Sequence, residues 1–146
     1  CVGVPGTIDN DISSTEYTIG YDTAMNTVCE MVDRLRDTSQ SHNRCSVVEV
    51  MGRKAGYIAL NTGIGCGASV ILLPEVKYDI KTAVIDKINK SSRSGKHHFI
   101  VMVAEGVGGV EEIAKEIQEG TGIESRASIL GHVQRGGAPS VKDRVA

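Results

Sequence analysis

The sequence predicts an α/β domain, a parallel sheet with helices on both faces, and two observations carry this. Short apolar runs alternate along the chain with segments whose apolar residues recur at helical spacing. The runs are apolar at consecutive rather than alternate positions, the mark of strands buried on both faces. The 146 residues are enough for one domain with a real core, and 40% hydrophobic against 23% charged is ordinary for a globular chain.

The opening CVGVPG reads as the tail of a buried strand. Ala24, Val28, Met31, Val32 and Leu35 mark one face of a helix. Asp22 is its expected N-cap, and Arg34 and Arg36 fall in its expected last turn, where the helix dipole favours cations. Ser46 to Met51 (SVVEVM) is a β-branched run, read as a strand, and a small-residue helix follows across Gly56 to Gly63. Ser69 to Leu73 (SVILL) is another strand, stopped by Pro74. Ile80, Val84, Ile85 and Ile88 define an amphipathic helix closed by Gly95. Phe99 to Val103 (FIVMV) is a wholly apolar strand, and Val110, Ile113, Ala114 and Ile117 form a helix before Gly120. Ala127 to Leu130 is the last strand, with no terminal helix expected after it. A chain that opens on Cys1 inside a strand and stops soon after a polar motif reads as a segment of a longer protein.

A formal charge of −2 gives no whole-chain case for nucleic acid or an anionic membrane. No apolar run approaches the roughly 18 residues of a membrane span. The four cysteines, Cys1, Cys29, Cys45 and Cys66, form no C-x-x-C pair and no zinc spacing. Cys29 and Cys45 lie within apolar patterns and read as buried free thiols, which implies a reducing cytoplasm. Charge is unevenly spread: residues 1–37 carry seven acids and two bases, and residues 38–104 carry nine bases and four acids. Basic segments in a near-neutral chain point to local anion sites, although Lys81, Lys87 and Lys90 read as a solvated helix face.

In a parallel sheet ligands collect at the carboxyl ends of the strands. After the opening strand comes Pro5-Gly6-Thr7-Ile8-Asp9-Asn10-Asp11, whose carboxylates fit either a magnesium ion and a general base or an Asx-rich turn. After SVVEVM comes Met51-Gly52-Arg53, whose arginine fits a phosphate or a surface salt bridge. After FIVMV comes Glu105, the first polar side chain beyond the strand, suited to sugar hydroxyls, in a glycine-rich loop that matches no nucleotide fingerprint. Last come Arg126 and Gly131-His132-Val133-Gln134-Arg135-Gly136-Gly137, whose cations and exposed backbone N–H groups suit a phosphate monoester. An acidic loop and several basic loops, read as lying on one sheet edge, are the equipment of phosphoryl transfer. A non-catalytic sugar-phosphate-binding module would share the bases without needing Asp9 and Asp11.

PGTIDND, SVVEVMGR and LGHVQRGG resemble three signatures of the phosphofructokinases, in the family's order and roughly its spacing. The resemblance to the bacterial type runs from Cys1 to Ala146. It implies a phosphofructokinase-like fold with residues 1–20 ending a nucleotide-binding domain, 21–137 binding fructose 6-phosphate, and 138–146 returning toward the nucleotide domain. It implies phosphoryl transfer from ATP, with Mg2+, to the C1 hydroxyl of fructose 6-phosphate. Asp9 would be the general base, Thr7 and Asp11 would position the phosphoryl group and its magnesium, and Arg53 would stabilise the developing charge. Met51, Gly52 and Glu105 would hold the sugar, His132 and Arg135 would bind its 6-phosphate, and Ile8, Val133 and Gln134 would be further substrate-binding residues. Arg44 and Arg126 would reach the phosphate from a neighbouring subunit, which makes an oligomer, a tetramer in bacterial relatives, necessary. Gly6 favours ATP, since pyrophosphate-dependent relatives usually carry Lys there. Arg36, Gly67, Ala68, Ser69, Ser94, Lys96, His97 and His98 match an effector site for nucleoside diphosphate or phosphoenolpyruvate. Ser69 replaces an acid and Ser94 a base in that site, which weakens the expectation of ADP activation. The 146 residues alone are expected to be catalytically silent.

Overall fold

The computed structural model describes residues 1–146. Its strands are β1 (Cys45–Val50), β2 (Val70–Leu72), β3 (Phe99–Ala104) and β4 (Ser125–Ile129). They form one parallel sheet in the order β2-β3-β1-β4, with Cys45 level with Phe99 on one side and Ser125 on the other. Successive strand residues point to opposite faces, so the sheet divides its apolar side chains between two cores. Cys45, Val47, Val70, Leu72, Phe99, Val101 and Val103 pack against Ile88 of α3 (Asp86–Arg93) and Val110, Ile113 and Ile117 of α4 (Val110–Thr121). Val48, Val50, Ile100, Met102 and Ala104 face the other way, onto Tyr21, Val28 and Val32 of α1 (Tyr21–Ser41) and Ile58 of α2 (Tyr57–Gly65). Two helix layers around continuous apolar strands is the architecture the sequence predicts.

The connections fix where a site can lie. β1 is followed by α2 on one face, and its neighbour β3 by α4 on the other. Neighbouring strands whose following helices depart to opposite faces leave a crevice at their carboxyl ends. That crevice opens beside Met51-Gly52-Arg53 and Glu105.

Several predicted details are corrected. The opening CVGVPG is not a strand: Val2 and Val4 are exposed, and pairing there reduces to one parallel bridge between Gly6 and Ile19. Helix α1 starts at Tyr21 and runs on to Ser41, which leaves Asp22 in its first turn and Arg34 and Arg36 in its middle. The extra turns dock because buried Ser39 donates to the Leu35 carbonyl and meets Ser46 of β1. Helix α3 is preceded by a π-helical turn over Lys81–Ile85. That turn brings Ile85 against Gly120, where an added Cβ would stand 2.6 Å from Ile85 Cδ1. Gly120 is therefore a close-packing residue inside α4, and the helix ends at Gly122, whose φ of +71° suits glycine. Cys29 is only half-buried, Cys45 and Cys66 are buried, Cys1 is exposed, and all four are free. No helix is long and apolar enough to cross a membrane.

A terminal helix does exist, α5 (Val141–Val145), capped by Ser140, whose hydroxyl accepts from the Asp143 N–H at 3.2 Å. It supplies what Asp22 was expected to supply. The Asp143 carboxylate accepts from the N–H groups of Gly20 and Thr23, both at 2.8 Å, and from the hydroxyls of Thr23 and Tyr17. Burial raises its pKa, but the bonds from Thr23, Tyr17 and Gly20 outweigh burial and hold it at about 2, below the ordinary 3.8. A folded pKa below the unfolded one stabilises the fold at pH values above the unfolded value. The contribution is complete above about pH 4 and is lost as pH falls through about 2. It is on the order of 2 kcal/mol. Asp143→Asn is expected to lower denaturant stability by about that amount at pH 7, with the gap narrowing below pH 4; an equal gap at pH 7 and pH 2.5 would contradict it.

Candidate functional site

The loop between Pro5 and Ile19 is closed at its base by the Ile19 N–H donating to the Pro5 carbonyl at 2.9 Å. Inside it Asn10 takes a left-handed φ of +54°, a conformation Asn tolerates better than most residues. Its Oδ1 accepts from the Thr18 N–H at 2.9 Å, and its Nδ2 donates to the Glu16 carbonyl at 3.3 Å. Thr18, fully buried, donates its hydroxyl to the Thr7 carbonyl at 2.7 Å. These bonds hold the turn that presents Asp9, whose own N–H donates to Thr7 Oγ1 at 3.3 Å.

At the end of β1 the backbone turns sharply. Gly52 has φ +140°, and a Cβ there would stand 2.4 Å from the Ala55 carbonyl oxygen, so only glycine fits. Arg53 follows with φ +52°. Its N–H donates to the Glu105 carboxylate from the end of β3, which bridges the crevice between the two strands. Its side chain then reaches back so that Nε lies 3.2 Å from Asp9 Oδ2. The Asp9 side chain is only 7% exposed and that of Arg53 is 71% exposed. A buried carboxylate therefore faces an exposed cation. Burial raises the Asp9 pKa above the usual carboxylate value, with Asp11 and Glu105 adding to the rise and Arg53 and Thr7 opposing it.

The third wall comes from beyond β4. Gly131–Arg135 is a 3-10 helix and not the loop expected. Its i,i+3 eclipse sets His132 and Arg135 on one side. Gln134, expected among the substrate-binding residues, has its side chain turned inward at 1% exposure. Its Nε2 donates to the Gly131 carbonyl at 3.0 Å and its Oε1 accepts from the Met51 N–H at 3.2 Å, which ties this turn to the end of β1. Val133 is exposed. The resulting cleft, about 510 Å³, is lined by Thr7, Ile8, Asp9, Asp11, Arg53 and Arg135 among others. A buried base with a raised pKa, an exposed arginine and a second arginine in one cleft can deprotonate a hydroxyl and hold anionic phosphate on either side of it.

The other candidates lie elsewhere, which narrows the basic loops read on one sheet edge to those of Arg53 and Arg135. Arg44 precedes β1 and Arg126 opens β4, so both stand at the amino end of the sheet, about 20 Å from the carboxyl end at 3.3 Å per residue. Glu124 gathers them, accepting from Arg44 Nε at 2.7 Å and from Arg126 Nη2 at 2.7 Å. The effector-like residues also converge at this end. Lys96 Nζ donates to Ser69 Oγ at 3.0 Å, and Arg36 donates to the Cys66 carbonyl beside Gly67 and Ala68. His98 has its pKa lowered by burial and by the cations Lys96, Arg36 and His97 around it. Ser94 caps the helix before them, donating to the Lys90 carbonyl at 3.2 Å.

Known proteins match the sequence and the fold of this chain. A family model described as phosphofructokinase matches residues 1–146. The chain belongs to the phosphofructokinase family. An ATP-dependent 6-phosphofructokinase of Bacillus mycoides is 57% identical over 145 residues, 99% of this chain and 45% of that relative. Another from Bacillus cytotoxicus is 56% identical over the same shares. The structure of phosphofructokinase from Saccharomyces cerevisiae superposes with a TM-score of 0.92 at 37% identity, covering 98% of this chain and 20% of that one. A pyrophosphate-dependent phosphofructokinase from Marinobacter aquaeolei, 24% identical with a TM-score of 0.81, shares the fold. The chain thus spans a little under half the length of the curated phosphofructokinases it matches.

Sequence reading gave no role to Asn10, Thr18, Tyr17, Thr23 or Asp143. Asn10 alone carried a usable signal, since Asn between two Asp residues in a turn favours a left-handed backbone. Thr18 acts through contacts 8 and 11 positions away, and Tyr17, Thr23 and Asp143 through contacts more than a hundred positions away, which no local pattern reveals.

Proposed function

We propose that this chain supplies the sugar-phosphate side and the general base of an ATP-dependent 6-phosphofructokinase. The observation that carries the reading is buried Asp9 with Arg53 at 3.2 Å, in the same cleft as Arg135. Asp9 accepts the proton of the C1 hydroxyl of fructose 6-phosphate as that oxygen bonds to the γ-phosphorus of ATP. The bond from phosphorus to the ADP oxygen breaks, giving fructose 1,6-bisphosphate and ADP. Arg53 leaves Asp9 for the transferring group, adding charge-assisted bonds as charge develops. His132 and Arg135 take the 6-phosphate, and Glu105 fixes the Arg53 backbone. Magnesium fits Asp11: the ion keeps several waters and needs only one or two carboxylates beside substrate phosphates, and Asp11 is an exposed carboxylate on the cleft. Bound there, the ion would neutralise charge on the phosphates of ATP.

Residues 1–20 then close a nucleotide-binding domain, 21–137 form the sugar-phosphate domain, and 138–146 lead back. Arg44 and Arg126, at the far edge of the sheet from Asp9, complete the phosphate site of a neighbouring subunit in a tetramer. A cytoplasmic location goes with this reading. The ATP-dependent relatives and Gly6 favour ATP over pyrophosphate. Assaying the full-length protein with fructose 6-phosphate and each donor is the test. Turnover with ATP and about 1% or less of it with pyrophosphate is expected; the reverse preference would replace the donor, and turnover with neither would leave a non-catalytic sugar-phosphate-binding subunit.

The cluster at the amino ends of β2 and β3 is proposed as the effector site, for nucleotide or phosphoenolpyruvate. Ser69, in contact with Lys96, offers no carboxylate, so this site would give magnesium one ligand fewer than the resemblance implies. Magnesium–ADP is expected to shift the half-saturating fructose 6-phosphate by less than about twofold, and Ser69→Asp to enlarge the shift. A tenfold shift in the unaltered protein would contradict this.

A further inference from the structure

The two walls of the cleft that carry Asp9 and Arg135 are separate pieces of chain, and each is anchored differently. The Arg135 turn is tied to β1 by Gln134, whose Oε1 accepts from the Met51 N–H at 3.2 Å. The Asp9 loop is closed on itself by Asn10 and Thr18. Nothing in those bonds sets one wall against the other.

The chain between Arg135 and α5 lies along the start of α1. Thr23 Oγ1 accepts from the Ser140 N–H at 3.0 Å, and Thr27 Oγ1 donates to the Gly136 carbonyl at 3.4 Å. At its end Asp143, 9% exposed, accepts four hydrogen bonds. Two of them, from the Tyr17 hydroxyl and the Gly20 N–H, come from the closing end of the loop that presents Asp9. The neighbouring Lys142 places Nζ 4.3 Å from the centroid of the Tyr17 ring, a cation–π contact on the same side chain. A second cleft, about 400 Å³, runs beneath this junction between Ile8, Gln134, Arg135 and Asp143. The loop and the Arg135 segment face each other across open space; beside the packing of Ile8 and Tyr17 on the core and the Asp9–Arg53 pair, the Asp143 contacts are the hydrogen bonds that join the two.

We propose that Asp143 is a positioning residue for phosphoryl transfer: through Tyr17 and Gly20 it sets the Asp9 loop in register with the wall that carries Arg135. This rests on the reading of the cleft as a phosphofructokinase site. A base contributes only when it lies within hydrogen-bonding reach of the proton it takes, and displacements of about 1 Å cost on the order of 10²-fold. An Asn at 143 keeps the shape but offers one acceptor oxygen and no charge, so it cannot replace four bonds. Because Gln134 holds the Arg135 turn independently, sugar-phosphate binding stays while the base drifts.

The test uses the full-length protein, with turnover expressed per site that binds fructose 6-phosphate, counted by titration calorimetry in the same preparation. Asp143→Asn is expected to lower kcat per binding site at least tenfold, with the KM for fructose 6-phosphate within about threefold of the parent. Tyr17→Phe, which removes one of the four bonds and keeps the ring over Lys142, is expected to lower it at least threefold, and the two changes together by less than their product. A purely structural role would lower the count of binding sites and the rate in equal proportion, leaving kcat per site unchanged. Values within twofold of the parent for both variants would overturn the proposal. Should Asp143→Asn give no folded protein, Tyr17→Phe decides alone by the same thresholds. Absence of turnover in the unaltered protein would instead remove the functional reading on which the proposal stands.

Discussion

Asp9→Ser in the full-length protein is expected to lower kcat by about 10²–10⁴-fold, the range of a lost general base. The structure gives three reasons to expect the upper part of that range. The carboxylate is almost fully buried and so held in one place at the wall of the cleft. Its raised pKa makes it a better proton acceptor than an ordinary carboxylate. Asn10 and Thr18 hold its turn from both sides, and neither contact is touched by the change. Binding of fructose 6-phosphate is expected to persist, because the phosphate contacts proposed for His132 and Arg135 lie on another segment. A kcat within tenfold of the parent would take the general-base role away from Asp9.

Arg53→Ala is expected to reduce kcat by about 10²–10³-fold, as for other removed donors that meet charge only as it develops. Arg53→Lys is expected to recover little of it, since an ammonium cannot reproduce the planar fork. The folded state should be barely affected. The side chain is 71% exposed, and the strained turn depends on Gly52 and on the Arg53 backbone N–H, which either substitution keeps. Steady-state kinetics beside a thermal melt separate the two effects. A fall in melting temperature with kcat preserved would make Arg53 a structural residue.

The sheet was legible because its strands are apolar on both faces and its helices carry clean periodic stripes; FIVMV and SVVEVM lie within a residue of their observed positions. Helix ends were not legible, and the reason is specific. Helix α1 takes its N-terminal bonds from Asp143, more than a hundred positions away, so the adjacent Asp22 misled. CVGVPG has strand composition, but a strand also needs neighbours, and its backbone here has a single bridge. The site was half legible. Asp9, Arg53, Glu105 and Arg135 all follow strands or the opening loop and do meet. Arg44 and Arg126 come before the strands predicted at Ser46–Met51 and Ala127–Leu130, so their place at the amino end was legible in the order of the chain, while their shared contact with Glu124 was not.

The most direct measurement is the structure of the full-length protein with fructose 6-phosphate bound. The C1 hydroxyl is expected within hydrogen-bond reach of the Asp9 carboxylate, about 2.6–3.2 Å, with the 6-phosphate at His132 and Arg135. A sugar phosphate bound in the reverse direction, or outside the cleft between Asp9, Arg53 and Arg135, would contradict the assignment.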